Sequence, residues 1–402
     1  MIRTSKLADS VKPSATLAAG AKAKAMKAAG LPVNDFSLGE PDFDTPKHIQ
    51  AAAVEAMAKG HTHYTPAGGT AELKQAIARW YARTYGYEFK PENVMASSGA
   101  KHSIHTFLAA TVGPGNDVII PTPYWVSYSD LVTMTGANAV LIHTTAANKF
   151  KLTVPQLEAA ITPNSRILML NSPSNPTGTV YTREELAALA ECFLQRTDGA
   201  ILSDEIYELL MYGDAKPTCI ATLKPEYRER VVTISGASKS YAMTGWRMGW
   251  TVAPANVIKA MDNIQSQETS CPSSITQYAM ITALDSPETA TSVAAMLKEF
   301  AVRKHLTCDH LHAMPGIRLV EPDGAFYAFF DVSNFYGKSF GGKTVTGSIE
   351  FCTALLEQGH VNLVPGAAFG ADDFARMSFA CSQDNIRTGL GKLATWLKTA
   401  AE

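Results

Sequence analysis

No two cysteines stand in a CxxC pair. The six are scattered at 192, 219, 271, 308, 352 and 381, which fits reduced thiols in a cytoplasmic protein and argues against a disulfide frame. No run approaches the roughly 20 apolar residues of a membrane span. The opening stretch, MIRTSKLADS, lacks the apolar segment of a signal peptide. The Ala/Lys-rich stretch 18–29 has a mostly alanine apolar side, so it reads as a solvated helix and not a membrane-surface anchor. A formal net charge of -2 without a basic tail provides no field for nucleic acid or an anionic membrane. No GxGxxG occurs, which argues against a nicotinamide dehydrogenase. His61 and His63 read as part of a polar loop, so no metal site is expected. Internal repeats are absent as well.

What is present is ordinary globular material. The 402 residues are 46% hydrophobic and 18% charged, enough for a sizeable core, and the length fits one large domain with a smaller one. Strand-like runs alternate with helical stretches: DVIIP at 117–121, RILML at 166–170, AILS at 200–203, VVTI at 231–234 and GWTV at 249–252. Thr182 and Glu185 form a capping-box pattern at the head of one helix. Apolar strands separated by helices predict a largely parallel sheet covered on both faces, an α/β fold. Ligands then bind beyond the carboxyl ends of the strands. After about residue 290 the pattern changes. A long helix over 296–313 precedes short strands near 316–320, 324–330, 362–364 and 376–379, which suggests a smaller α+β domain.

Several residues sit where such a sheet would present chemistry, and each has a plain structural reading beside the functional one. Lys239 in SGASKSYAMTGWRMGW follows a strand. It is either a surface lysine or an amine whose pKa is lowered by burial and by Arg247, able to form an imine with a carbonyl cofactor. Arg247 could itself clamp a phosphate with its planar fork. Asp204, at the end of AILSD, either caps a helix or pairs with a pyridinium nitrogen, with Tyr207 on the same face if a helical turn begins there. NSPSNPTG at 171–178 is a turn, or it presents the Asn175 amide as a donor. SSGAKHSI at 97–104 combines Gly99 with a helix start, which would free the N–H groups of Ala100 and its neighbour for a phosphate. Tyr124 and Trp125 are core aromatics, or one of them stacks on a ring. Arg376 opens an apolar strand, where a buried guanidinium needs an anionic partner such as a carboxylate.

Taken in this order, the motifs resemble those of fold-type I pyridoxal-phosphate aminotransferases of class I/II, and most closely the bacterial aspartate and aspartate/prephenate subgroup. The resemblance covers nearly the whole chain: KPSAT (12–16), LGEPDFDTP (38–46), HYTPAGG (63–69), PYWVSY (123–128), NSPSNPTG (171–178), SDEIYE (203–208), SKSYAMTGWRMGW (238–250), GAFY (324–327) and VPG (364–366).

It implies a large cofactor domain over 46–295 and a small domain built from 1–45 and 296–402. It implies pyridoxal 5'-phosphate carried on Lys239, which would also shuttle the proton. Asp204 would hold the ring nitrogen, Asn175 and Tyr207 the phenolic oxygen, and Trp125 the ring face. Arg247 with the backbone at Gly99 and Ala100 would hold the phosphate. Tyr64 would reach the phosphate in the neighbouring subunit of a homodimer with shared sites. Arg376 would take the substrate α-carboxylate under the Gly39 backbone. Lys101 would take a second carboxylate, and Lys12 is the position tied to prephenate.

The reaction implied is ping-pong transamination between L-aspartate or L-glutamate and 2-oxoglutarate or oxaloacetate, with prephenate a further acceptor. An alanine or aromatic aminotransferase, a β-lyase or a decarboxylase would use the same cofactor. Glu268 and Cys271 lie in a stretch that departs from the subgroup pattern, and Glu268 would alter the field around a dicarboxylate. The residue before Lys239 is serine where the relatives tend to carry alanine.

Overall fold

The computed structural model describes residues 2–11, 13 and 15–401. Its centre is a seven-stranded sheet made of β1 (Val94–Ser97), β2 (Asp117–Thr122), β3 (Asn138–His143), β4 (Ser165–Asn171), β5 (Ala200–Asp204), β6 (Val231–Gly236) and β7 (Gly249–Val252). The spatial order is β1-β7-β6-β5-β4-β2-β3. β7 runs against both of its neighbours, and the pairs β6–β5, β5–β4, β4–β2 and β2–β3 are parallel.

Side chains alternate across a strand with period two, so a sheet covered on both faces needs apolar residues at successive positions. The strands supply them and divide them between two cores. Ile119, Leu168, Ile201 and Val231 point into one, while Val118, Ile167, Leu202 and Val232 point into the other.

Register brings the carboxyl ends of β4 and β5 level, with Asn171 opposite Asp204. The Asn171 amide donates to the Asp204 carbonyl at 3.0 Å. Lys239 follows the end of β6 by three residues, in a single helical turn over Ala237–Ser240. The chain thus delivers three polar side chains to one edge of the sheet.

A second, antiparallel sheet contains β8 (Arg318–Val320), β9 (Tyr327–Asp331), β10 (Val364–Pro365) and β11 (Phe374–Ser378) in the order β10-β11-β9-β8. Its core includes Phe326, Phe330, Leu355, Phe379 and Trp396. Asn34–Asp35 pairs in parallel with Val361–Asn362, so the early chain is stitched to the late chain by backbone.

The capping box at Thr182 and Glu185 is formed as the sequence predicts. The long helix starts earlier than predicted, at Pro287, because Ser286 caps it by accepting from the Glu288 N–H and proline suits the first turn. β1 and β3 were not foreseen. β1 is four residues of small and apolar type, and β3 is a half-exposed edge strand. No helix among the described residues is long and apolar enough to cross a membrane.

Candidate active site

Gly39, Ala100, Lys101, Trp125, Asn175, Asp204, Tyr207, Lys239, Arg247 and Arg376 all line one cavity of about 290 Å³. It opens at the carboxyl edge of the central sheet and reaches Tyr327 and Arg376 of the second sheet. Of the other positions singled out in the sequence, Gly99 lies directly behind Arg247. Tyr64 is 90% exposed and does not line the cavity. Lys12 lies outside the described residues.

Lys239 donates from Nζ to the Gly39 carbonyl at 2.5 Å. Burial pushes its ammonium down to about 8; Glu40 opposes this, Arg376 and Arg247 add to it, and Asp204 opposes it. A lysine in this range is partly neutral near pH 8, as a nucleophile requires.

Asp204 is 4% exposed. The Tyr128 hydroxyl donates to its Oδ2 at 2.5 Å and the Ile206 N–H to its Oδ1 at 3.3 Å. Burial raises the carboxyl to about 6 against those two donors and the charge of Lys239. Asp204 makes no ion pair within 4 Å among the described residues. Tyr207 occupies a turn after β5 and not a helix; its hydroxyl is 2.9 Å from that of Tyr327. Burial raises the Tyr207 phenol well above its ordinary value.

Arg376 sits in the middle of β11, opposite Phe329 and Val364, and is 1% exposed. Nη1 donates to Asn175 Oδ1 at 3.0 Å and Nη2 to the Ser37 carbonyl at 2.7 Å, while Nε has no partner. The guanidinium lies 4.6 Å from the ring centre of Tyr327 and 5.0 Å from that of Phe369. No carboxylate faces it among the described residues, so a buried cation is left to be met by an anion from outside the chain.

The helix Ala100–Thr111 begins at Gly99 without a side-chain cap. Its first N–H groups are therefore free, in the pattern that binds phosphate. Arg247 stands against this end; its Nη1 is tied to the Thr244 carbonyl at 2.8 Å. Lys101, exposed at the cavity mouth, places Nζ 4.9 Å from the centre of the Trp125 ring. Desolvation and then Arg247 lower its pKa, against Asp130.

Glu268 is held away from the cavity. Its oxygens meet His102 Nε2 at 2.9 Å and His105 Nε2 at 3.0 Å. Among the described residues no group of three or more His, Cys, Asp or Glu is arranged to hold a metal ion.

Sequence reasoning assigned no role to Tyr128, Tyr327 or the Ser37 carbonyl. The two tyrosines sit inside quoted motifs, PYWVSY and GAFY, but an aromatic in an apolar run carries no signal separating a core ring from a hydroxyl aimed at a site.

The sequence profile of aminotransferase class I and II matches residues 32–393. The chain is 44% identical over 400 residues to an aspartate aminotransferase of Geobacillus stearothermophilus, covering all of both chains. It is 43% identical to an aspartate/prephenate aminotransferase of Nitrosomonas europaea, covering 98% of this chain and all of the relative. The crystal structure of the aspartate aminotransferase of Rhizobium meliloti superposes with a TM-score of 0.95 at 40% identity, covering the whole of each chain. With a profile across most of its length, relatives of equal length and a shared fold, this chain belongs to the class I and II aminotransferase family.

Proposed function

We propose that this chain transfers the amino group of L-aspartate or L-glutamate to a 2-oxo acid, using pyridoxal 5'-phosphate bound in the cavity between Lys239 and Arg376. The observation that carries the reading is the set of uncompensated buried charges. Arg376 is a buried cation without a carboxylate, and Asp204 is a buried anion without a touching cation.

The residues fit the cofactor. Asp204 would complement a protonated ring nitrogen. Asn175 Nδ2, which has no hydrogen-bond acceptor among the described residues, and the Tyr207 hydroxyl would serve the phenolic oxygen. Trp125 would cover a ring face. The free N–H groups of Ala100 and Lys101 at the Gly99 turn, with Arg247, would hold the phosphate. Bound there, pyridoxal phosphate supplies an electron sink for the electrons of the substrate Cα–H bond.

The chain's own groups do the rest. Arg376 takes the α-carboxylate and so fixes the orientation of Cα, with the Gly39 backbone above it. Lys101 takes the side-chain carboxylate and favours dicarboxylic substrates. Lys239 Nζ accepts the Cα proton as a general base and later returns it as an acid, a role that its depressed pKa suits. Oxaloacetate leaves before 2-oxoglutarate enters, so the kinetics are ping-pong. Similarity to an enzyme named for aspartate and prephenate supports prephenate as a further acceptor.

The same reading divides the chain into a large domain over 46–295 and a small one from 1–45 and 296–402, supported by the backbone pairing of Asn34–Asp35 with Val361–Asn362. It assigns exposed Tyr64 to the phosphate site of a second copy in a homodimer. Six cysteines without a disulfide fit the reducing cytoplasm.

The test is a half-reaction. Protein loaded with pyridoxal phosphate is mixed with L-aspartate alone and released oxaloacetate is measured, with L-alanine and L-phenylalanine as competitors and Lys239→Ala as control. Stoichiometric oxaloacetate, lost in the control, is the expected result. Faster conversion of alanine or phenylalanine would overturn the substrate assignment, and failure to bind the cofactor would overturn the whole reading.

A further inference from the structure

Tyr128 has no role in the reaction as derived so far, yet it touches two of the groups that define the cavity. It lies in the helix Ser127–Met134, just after Trp125, and packs in the core beside the central sheet with Leu131 and Val132. Its hydroxyl is the only side-chain donor to the Asp204 carboxylate among the described residues, at 2.5 Å. Its ring meets that of Trp125 edge to face, with centroids 5.4 Å apart and planes at 87°.

A tyrosine here can be read as core packing alone. Phenylalanine would serve that purpose, and it would spare the cost of burying a hydroxyl. The hydroxyl instead ends on a buried carboxylate oxygen, a charge-assisted bond of the strong kind. The other titratable groups that feel Asp204 are Lys239, Tyr207 and Glu208; none of them donates to its carboxylate.

We infer that Tyr128 is a positioning residue for the transamination proposed above, acting through Asp204 and Trp125: it fixes the direction of the carboxylate and the tilt of the ring. Resting on that reading, the inference adds a residue that touches neither substrate nor cofactor. A hydrogen bond to a charged acceptor is worth about ten- to a hundredfold in an equilibrium constant. Its loss falls on the ionised form of Asp204 alone. Arg376 and Lys101, which hold substrate, are untouched.

The experiment compares wild type, Tyr128→Phe and a protein with 4-aminophenylalanine at position 128, which keeps a donor at similar reach. In cofactor-free protein, the infrared carboxyl band of Asp204, identified by its loss in Asp204→Asn, is followed against pH. Its midpoint should rise in Tyr128→Phe and return with the amino analogue. In loaded protein, kcat for L-aspartate should fall about ten- to a hundredfold in Tyr128→Phe with KM changed less than about threefold.

An unmoved titration would overturn the inference, and so would a lower melting temperature as the sole effect, since the tyrosine would then be packing only. A shifted titration in a protein whose wild type ignores L-aspartate would sink the proposed substrate and leave the coupling of Tyr128 to Asp204 standing.

Discussion

Replacing Gly99 by alanine perturbs the proposed phosphate site without removing a charge. Gly99 has φ 92° and ψ 156°, a combination that residues with a side chain rarely adopt, and holding alanine there costs about 1–3 kcal/mol. The new Cβ would lie 2.4 Å from Nη2 of Arg247 and 2.9 Å from its Cζ, inside any tolerable contact. Arg247 is the flexible partner and must give way. Its retreat is limited by the bond from Nη1 to the Thr244 carbonyl and by its own positive φ of 56°. The guanidinium should therefore lose its bonds to a bound phosphate, each worth about 1.5–3 kcal/mol. That is a loss of about ten- to a hundredfold in cofactor affinity. The assay titrates cofactor-free protein with pyridoxal phosphate and follows tryptophan fluorescence. Gly86→Ala is the control: Gly86 also has a positive φ, 72°, but its Cβ would meet nothing within 4 Å. Both variants should melt at lower temperature, and only Gly99→Ala should bind weakly. Equal cofactor affinity in the two would refute the assignment of Arg247 and the Gly99 turn to the phosphate.

Arg376→Ala leaves Asn175 and the Ser37 carbonyl without their donor, and kcat/KM should fall about a hundredfold or more for L-aspartate and L-alanine alike; a loss confined to one substrate would count against an α-carboxylate site. Lys101→Ala should cost L-aspartate about tenfold or more and leave L-alanine within about twofold, and equal losses would remove Lys101 as the selector. Capture of pyridoxal phosphate needs the neutral Lys239 amine, so its rate should rise with pH through about 8; a rise centred near the ordinary lysine value of 10.5 would refute the effect of burial. Asp204 has a folded value of about 6 against 3.8 for the free group, so the stability it contributes is complete below pH 3.8 and lost as pH rises through 6. At pH 7.5 its ionisation therefore costs the cofactor-free protein about 3 kcal/mol, and cofactor-free Asp204→Asn should melt above wild type at that pH and not at pH 3.5, while binding cofactor more weakly.

The fold was legible where periodicity and punctuation agree. β2, β4, β5, β6 and β7 are short apolar runs between turn signals, and Thr182 with Glu185 marks a helix start by chemistry that is local. β1 and β3 escaped because neither rests on a strong local signal. Val94–Ser97 owes its place to antiparallel pairing with Gly249–Val252, about 155 residues later in the chain, and Asn138–His143 is a half-exposed strand at the opposite edge of the sheet. The site was legible as a set of residues that follow strands, and ten of them do meet in one cavity. Their partners were not legible, because partnership is set by tertiary approach. The bond from Arg376 to Asn175 spans 201 residues and that from Lys239 to Gly39 spans 200. Glu268 shows the converse: a charge that the sequence set near the substrate is drawn off by His102 and His105 on one helix face.

The electrostatics of the cavity explain why these residues are held in so costly a state. Lys239 and Arg376 are cations pushed toward neutrality by burial, and Asp204 is an anion pushed the same way. Each would relax if it moved to solvent. They do not move because each rides on a different rigid support: Asp204 ends the central strand β5, Arg376 is paired across β11 on both edges, and Lys239 follows β6, itself paired on both sides. A ligand that brings a ring cation, a phosphate and a carboxylate complements all of these charges at once. It gains more from them than it would from groups already paired within the chain, because their desolvation was met during folding. Stability surrendered by the cofactor-free protein thus reappears as affinity for a partner of complementary charge pattern, which is why Asp204→Asn should move stability and cofactor binding in opposite directions.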